Sequence, residues 1–332
     1  LRTFYLINYV LIKKSKKIFR VIFRGIFRTN FYSFLRTFYL INYVLIKKSK
    51  KILEQPDLVI CNDLFTIPTG IYLKMKHGSK IIYDMHEYEL DRVPRASILK
   101  KFLIYLLEEL TIPFTDYIMT VSYSIKKYYK KRFNKKIFLI LNSPQITNFD
   151  TQDRAPSVKK LNKFIVVGNV SYGRNVNELI KIFSKSNLDL TFMGDINEKF
   201  NEEKDFLINI NEFNNIHYKK AVKPDEISNV MEQFDASLFF YDVSYKNYDF
   251  ALPNKFLLSV MKQMPIICFK SNELKLFEKR HKVKLNLINS LDELMNIKIT
   301  KNFILKGKAL KFYSKERQIK TLKKLVNNLI LK

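Results

Sequence analysis

Cysteine is nearly absent from this chain of 332 residues, which has only Cys61 and Cys268. Each sits inside an apolar run of strand length and reads as a small buried hydrophobe. Neither a disulfide framework nor a thiolate metal site is available, and a reducing compartment is implied. The four histidines, His77, His86, His217 and His281, are too scattered to suggest zinc. No GxSxG or P-loop pattern occurs. Acidic residues are missing from positions 1–52, which hold thirteen Lys or Arg. Long apolar runs are missing too. The longest uncharged stretch near the start, Thr37 to Ile46, is half a membrane span, so an interfacial helix is expected there in preference to a spanning one. The apolar runs are broken by Lys and Arg and no small-residue cleavage site follows, so no signal peptide is expected. The first residue is not Met, and the chain reads as a fragment.

What is present is apolar and basic. Nearly half the residues are hydrophobic, with 28 Phe and 19 Tyr, a globular composition. The length suits two α/β domains. A net charge of +28 seeks polyanions: nucleic acid, anionic lipid or a phosphorylated substrate. Each basic residue near an anionic membrane contributes about 1 kcal/mol, so the basic start would hold the protein there. No recognition motif for nucleic acid accompanies the charge, and no specific nucleic-acid partner is expected.

Residues 1–18 recur unchanged at 35–52. Solenoid repeats drift and need three or more copies to bury a core, so this reads as a recent duplication or an error of sequence assembly, with the second copy native. Residues 19–34, aromatic and basic, suit a membrane surface or a partly buried helix.

From Pro56 a regular pattern begins. Strands are expected at 57–61, 80–84, 117–121 and 137–141, with helices at 68–76, 95–110 and 124–132. Residues 148–163 are polar and read as a linker. A second series follows, with strands at 164–168, 188–193, 216–218, 236–241 and 266–269, and helices at 177–184 and 224–234. The tail, 301–331, reads as a helix with Phe312, Ile319, Leu322, Leu325 and Leu329 on one stripe. Alternating strands and helices argue for parallel, doubly wound sheets. Such sheets bind ligands beyond the carboxyl ends of their strands, where Asn62 and Asp63, His86 and Glu87, Gly168, and Gly194 and Asp195 stand. Two such domains should leave a cleft for a substrate.

Asp249 to Phe269, DFALPNKFLLSVMKQMPIICF, reads as a loop, a helix capped by Asn254, and a buried strand. Asn254 and Lys255 at the helix start are a ready place for an anion. An ordinary helix–strand joint with a solvated lysine fits the same residues. Likewise Gly168 to Arg174, GNVSYGR, allows close backbone approach and a cation for a diphosphate, or a plain turn with a solvent-facing arginine.

In order along the chain, PDLVICND, KIIYDMHE, TDYIMTVS, IFLILNSP, IVVGNVSYGRNVNELIK, LTFMGD, AVKPDEISNVMEQFDASLFF and ALPNKFLLSVMKQMPII resemble the family 4-type glycosyltransferases. The likeness covers roughly 54–330. It implies the α/β GT-B fold, two Rossmann-like domains facing across a cleft, with boundaries at 53–147 and 164–332. It implies transfer of a sugar from a nucleotide-sugar donor, with retention and without cofactor or metal; the Asp-x-Asp signature of metal-dependent sugar transferases is absent. The acceptor would be a glycan or lipid-linked, in bacterial surface-polysaccharide or lipooligosaccharide synthesis at the cytoplasmic face of the membrane. Gly168, Arg174, Asn254 and Lys255 would hold the donor phosphates, where departing charge must be stabilised. Gly194 and Asp195 would flank the nucleotide. His86 would contact the transferring sugar or departing phosphate, and Glu87 would orient an acceptor hydroxyl or act as base; Asn62 and Asp63 lie on the acceptor side.

Two departures stand out. Positions 1–52, where the family's first strand and glycine-rich loop belong, contain only Gly25. Leu258 occupies the nucleotide-binding position of the glutamate that holds the donor ribose, and its paired glutamate falls on Phe250. Losing a charge-assisted hydrogen bond weakens binding roughly ten- to a hundredfold. The alternative is therefore a catalytically degenerate relative acting as a membrane-associated partner protein.

Overall fold

The computed structural model describes residues 30–52, 56–92, 96–143, 161–170, 174–196, 210–223, 226–296 and 311–330. Residues 1–18, the first copy of the repeat, lie outside these, as do 144–160, most of the expected linker. The chain divides into two compact units, one of Leu1–Thr120, Lys126–Leu139 and Leu325–Lys332, the other of Val121–Ile125 and Ile140–Lys324.

The first unit opens with helix α1, Asn30–Ile52, which contains the whole second copy of the repeat. Asn42 fastens it. Its amide donates to the carbonyls of Phe38 and Phe65, both at 2.9 Å, and its carbonyl accepts from Thr69 N–H at 3.0 Å and Thr69 Oγ1 at 2.6 Å. Four bonds use the full capacity of a buried asparagine. Strand β1 (Leu58–Cys61), helix α2 (Ile67–His77), β2 (Lys80–Met85), helix α3 (Ile98–Thr111), β3 (Tyr117–Thr120), helix α4 (Tyr123–Phe133) and β4 (Ile137–Leu139) follow. The strands make a parallel sheet in order β1-β2-β3-β4, with Leu58 beside Lys80, Ile82 beside Tyr117 and Ile118 beside Ile137. Ile81, Ile82 and Tyr83 are fully buried, because helices cover a parallel sheet on both faces. Helix α2 lies so close to β1 that a Cβ on Gly70 would be 2.7 Å from Cys61 Sγ. Burial pushes the Cys61 thiol up to about 12 and raises that of Cys268; both are buried and unbridged, as expected.

The second unit comprises β5 (Lys163–Val167), α5 (Val176–Phe183), β6 (Asp189–Met193), β7 (Ile216–Lys219), α6 (Ile227–Met231), β8 (Ala236–Phe239), α7 (Lys246–Asp249), α8 (Asn254–Met261), β9 (Ile266–Phe269), α9 (Asn272–His281), β10 (Asn286–Ile288) and the part of α10 (Lys315–Ile330) that precedes Leu325. Its six strands are parallel, in order β10-β9-β8-β5-β6-β7. Alternate residues serve opposite faces. Phe164, Leu190, Phe192 and Leu238 pack with Leu179 and Phe183 on one side. Ile165, Val167 and Met193 pack with Ile227, Met231, Leu258 and Met264 on the other.

The α/β reading of both units holds, with corrections at the level of elements. Helix α9 and strand β10 were not expected. In α9 only Glu273, Leu274 and Phe277 are buried among ten residues, too few to show a periodic apolar signal, and β10 has three residues. Lys163, assigned to the linker, opens β5. In the tail Ile319 is exposed, and the buried stripe is Gln318, Leu325 and Leu329. Gln318 takes the inward place because its side-chain carbonyl accepts Leu141 N–H at 2.9 Å, a bond isoleucine cannot make.

Candidate active site

In the second unit the chain runs β5, β6, β7 to one side of the sheet and then β8, β9, β10 to the other. The order reverses between β5 and β8, and doubly wound sheets bind ligands at such a reversal, beyond the strand ends. Gly168 follows β5 with φ at +140°, a conformation open to glycine. A Cβ there would be 2.3 Å from Arg174 Nη1, so the guanidinium lies directly on the glycine. Gly194, after β6, supports the same turn: a Cβ on it would be 2.0 Å from the Gly168 carbonyl oxygen. Gly168 N–H donates to the Met193 carbonyl at 2.9 Å, and Val170 N–H to that of Asp195 at 2.9 Å. Gly168, Arg174, Gly194 and Asp195, far apart in sequence, are thus one cluster. The Asp195 side chain is exposed. Residues 171–173, including the second glycine of GNVSYGR, lie outside the described residues.

Arg174 is oriented from β8. Its guanidinium carbon sits 5.0 Å from the centroid of the Tyr241 ring, and Tyr241 stacks on Tyr248 at 5.4 Å with 21° between planes. Asn175, in the left-handed region, donates from its amide to the Phe240 carbonyl at 2.9 Å, tying the start of α5 to the end of β8. Arg174 Nε is buried without a hydrogen-bond partner, and among the described residues no carboxylate pairs with Arg174.

Lys255 sits in the first turn of α8, which follows β8 and leads into β9. Pro253 takes the N-cap position with φ −65° and ψ 144°, and no side chain caps the helix. The expectation that Asn254 caps it is corrected: Asn254 is the first helical residue, exposed, because proline's fixed φ and missing N–H suit the position just outside the helix. Lys255 is half-buried, burial lowers its pKa, and no carboxylate pairs with it among the described residues. The helix ends at Met261, with Gln263 at φ +53°. Leu258, three residues after Lys255, is 4% exposed in the core formed with Ile165, Val167, Met193, Ile227, Met231 and Met264. Phe250 closes α7 and is half-buried. Asp249 binds α9 instead, accepting from Asn272 N–H at 2.7 Å.

In the first unit the strand ends carry a different chemistry. His86, just beyond β2, has Nε2 2.8 Å from Asp84 Oδ2. That bond raises the histidine's pKa against the opposing effect of burial, with Asp63 and Glu87 adding to the rise. Arg92 gathers three carboxylates: Asp63 at 2.6 Å, Glu87 at 2.9 Å and Glu89 at 3.4 Å. Their partnership holds the guanidinium charged, its pKa raised despite burial. Glu89 is buried, and burial moves it from 4.5 to about 7, opposed by Arg92. His86, Glu87 and Asp63 therefore belong to one network; Asn62 stands beside it, half-buried. Arg92 and Glu89 were not anticipated. Their i, i+3 spacing was the available signal, but nothing local ties Arg92 to Asp63 across 29 residues. Among the described residues no group of His, Cys, Asp and Glu is arranged to hold a metal ion.

No family model matches the chain, and no curated protein matches it. Solved structures do. The lipopolysaccharide outer core galactosyltransferase WaaB in its apo form is 16% identical, with a TM-score of 0.57, over 90% of this chain and 81% of that one. Sucrose-phosphate synthase from Thermosynechococcus elongatus is 13% identical, TM-score 0.65, over 89% and 79%. HepE from Anabaena, solved in complex with UDP and glucose, is 12% identical, TM-score 0.62, over 87% and 81%. At these identities the likeness shows the fold, which is the GT-B glycosyltransferase fold.

Proposed function

We propose that this chain is a glycosyltransferase that takes a sugar from a nucleotide-sugar donor and passes it to a glycan or lipid-linked acceptor. The observation that carries the reading is the pair of uncompensated cations in the second unit. Arg174 lies over a turn that only glycine fits, beside the sheet's reversal point, and Lys255 stands in the first turn of α8, which follows β8 and leads into β9. Half-buried cations without carboxylates await an anion, and a nucleotide diphosphate is the anion such an edge receives. Stabilising the departing diphosphate is then their work in the transfer step. His86, whose ring is held by Asp84, contacts a sugar or phosphate oxygen, and Glu87 orients an acceptor hydroxyl. No step calls on a metal, and the departing phosphate is neutralised by side chains; retention of configuration follows the resemblance. Surface-polysaccharide or lipooligosaccharide synthesis in a bacterium fits the basic chain, with the protein cytoplasmic and peripheral to the membrane.

The test is calorimetric binding of UDP-, GDP- and ADP-sugars. Arg174→Ala and Lys255→Ala should each weaken the donor that binds by roughly ten- to a hundredfold. A panel in which no nucleotide sugar binds the intact chain rejects the reading. A second reading, a non-catalytic partner protein, is favoured by Leu258, buried where the family carries its ribose-binding glutamate. It predicts donor binding without transfer to any acceptor and without slow hydrolysis of the sugar.

A further inference from the structure

Helix α3 is apolar on both sides. Ile104 and Leu107 face the core, as a surface helix requires. The opposite side should be polar, and it is not. Ile98, Phe102, Leu106 and Leu110, spaced by four and so in line along the helix, are between 42% and 88% exposed. Phe114, just beyond the helix, extends the ridge and is exposed as well. The ridge from Ile98 to Leu110 is about 18 Å long. The acids nearby are spent: Glu108 and Glu109 bind Arg132, and Asp91 binds Lys101 at 2.6 Å.

Helix α1 packs beside α3. It carries Arg36, Lys47, Lys48, Lys50 and Lys51 and no Asp or Glu. Between its basic ends, Tyr43 is exposed with Lys47 Nζ 5.9 Å from its ring centroid. An apolar ridge edged by tyrosines and phenylalanines, next to a helix that is cationic without exception, matches one environment. Water suits only the cations and a second protein core only the ridge; the headgroup–acyl boundary of an anionic bilayer suits both. We infer that α3 lays its exposed ridge into an anionic lipid surface while α1 binds the headgroups with its lysines. The inference rests on the membrane-surface part of the proposed function and not on sugar transfer.

The chain has no tryptophan, so Phe102→Trp introduces a single reporter on the ridge. In the full chain its emission should shift to the blue on addition of phosphatidylglycerol-containing vesicles and remain unshifted with phosphatidylcholine alone. Co-sedimentation with the anionic vesicles should fall about a hundredfold in the triple variant Phe102→Ser, Leu106→Ser, Leu110→Ser. It should fall about tenfold in Lys47→Gln, Lys48→Gln. All three ridge positions face solvent, so circular dichroism should be unchanged. Lys255→Ala, which removes a donor contact, should bind vesicles as the parent does, so that failure of the sugar reading leaves this result standing. An unshifted reporter with anionic vesicles overturns the inference. So does a reporter already blue without vesicles: concentration dependence would then mean a second copy on the ridge, and its absence would mean that residues 1–29 cover it.

Discussion

The carboxyl edges of the two parallel sheets solve the same placement problem with opposite electrostatics. In the first unit Asp63, Asp84, Glu87 and Glu89 are met by Arg92 and His86 within the edge itself. In the second unit Arg174 and Lys255 have no carboxylate, and Arg174 is held instead by an aromatic face and a bare glycine. A network whose carboxylates are all partnered within the edge offers no unpaired cation to an anion. An edge left cationic is complete only with an anion bound, since half-buried charge without a counter-charge is disfavoured. On the proposed function, the second edge is the one suited to the diphosphate and the first to the sugar or acceptor.

The sharpest way to break this contrast is to put a carboxylate into the second edge's support. Leu258→Glu places an acid where resemblance expects one, but the structure puts the position among six other buried apolar side chains. An unpaired buried charge there costs about 3 kcal/mol or more. The expected outcome in urea unfolding is a destabilised chain with no gain in donor affinity. A stable variant with tighter nucleotide binding would mean that the position turns toward the ligand and that the second edge accepts a carboxylate.

The first edge is tested by Glu89→Gln. Because the folded pKa lies at about 7 against an ordinary 4.5, the native state holds the proton more tightly than the unfolded chain. The associated stability is full below about 4.5 and is lost as pH rises through about 7. Glutamine cannot ionise. The parent should therefore lose up to roughly 3 kcal/mol relative to the variant between about pH 5 and about pH 8. Asp63, Glu87 and Glu108 push in the same direction and Arg92 against it. Equal stability differences at both pH values would show Glu89 ionised throughout, adding one more negative charge to the first edge.

How much of this was legible in the sequence depends on distance along the chain. The strand cores were, because Ile81–Tyr83 and Phe164–Val167 are continuous apolar runs with side chains buried on both faces. The glycines and Lys255 were, because each stands beside an element boundary. Arg92 was not, since its partners sit on loops after β1 and β2 and only folding assembles them. Leu258 could be recognised as a departure, yet its burial depends on α6 and β6, which no local pattern brings to α8. Ile319 was misread for a simpler reason: helical spacing does not reveal that a buried glutamine can take the inward position by capping Leu141 N–H.

The smallest expected effect concerns Tyr241, which no motif marked. Its ring lies under the Arg174 guanidinium, and a cation–π contact of this kind contributes about 1 kcal/mol. Tyr241→Phe keeps the face and should bind nucleotide within about twofold of the parent. Tyr241→Leu keeps much of the bulk but removes the π system, and should weaken binding by about fivefold at constant fold stability. The contrast between the two variants isolates orientation of the cation from packing. If leucine and phenylalanine bind alike, the guanidinium is fixed by Gly168 and the backbone alone. The second edge would then owe its readiness for an anion to the turn, with the aromatic stack of Tyr241 on Tyr248 serving only to pack the end of β8.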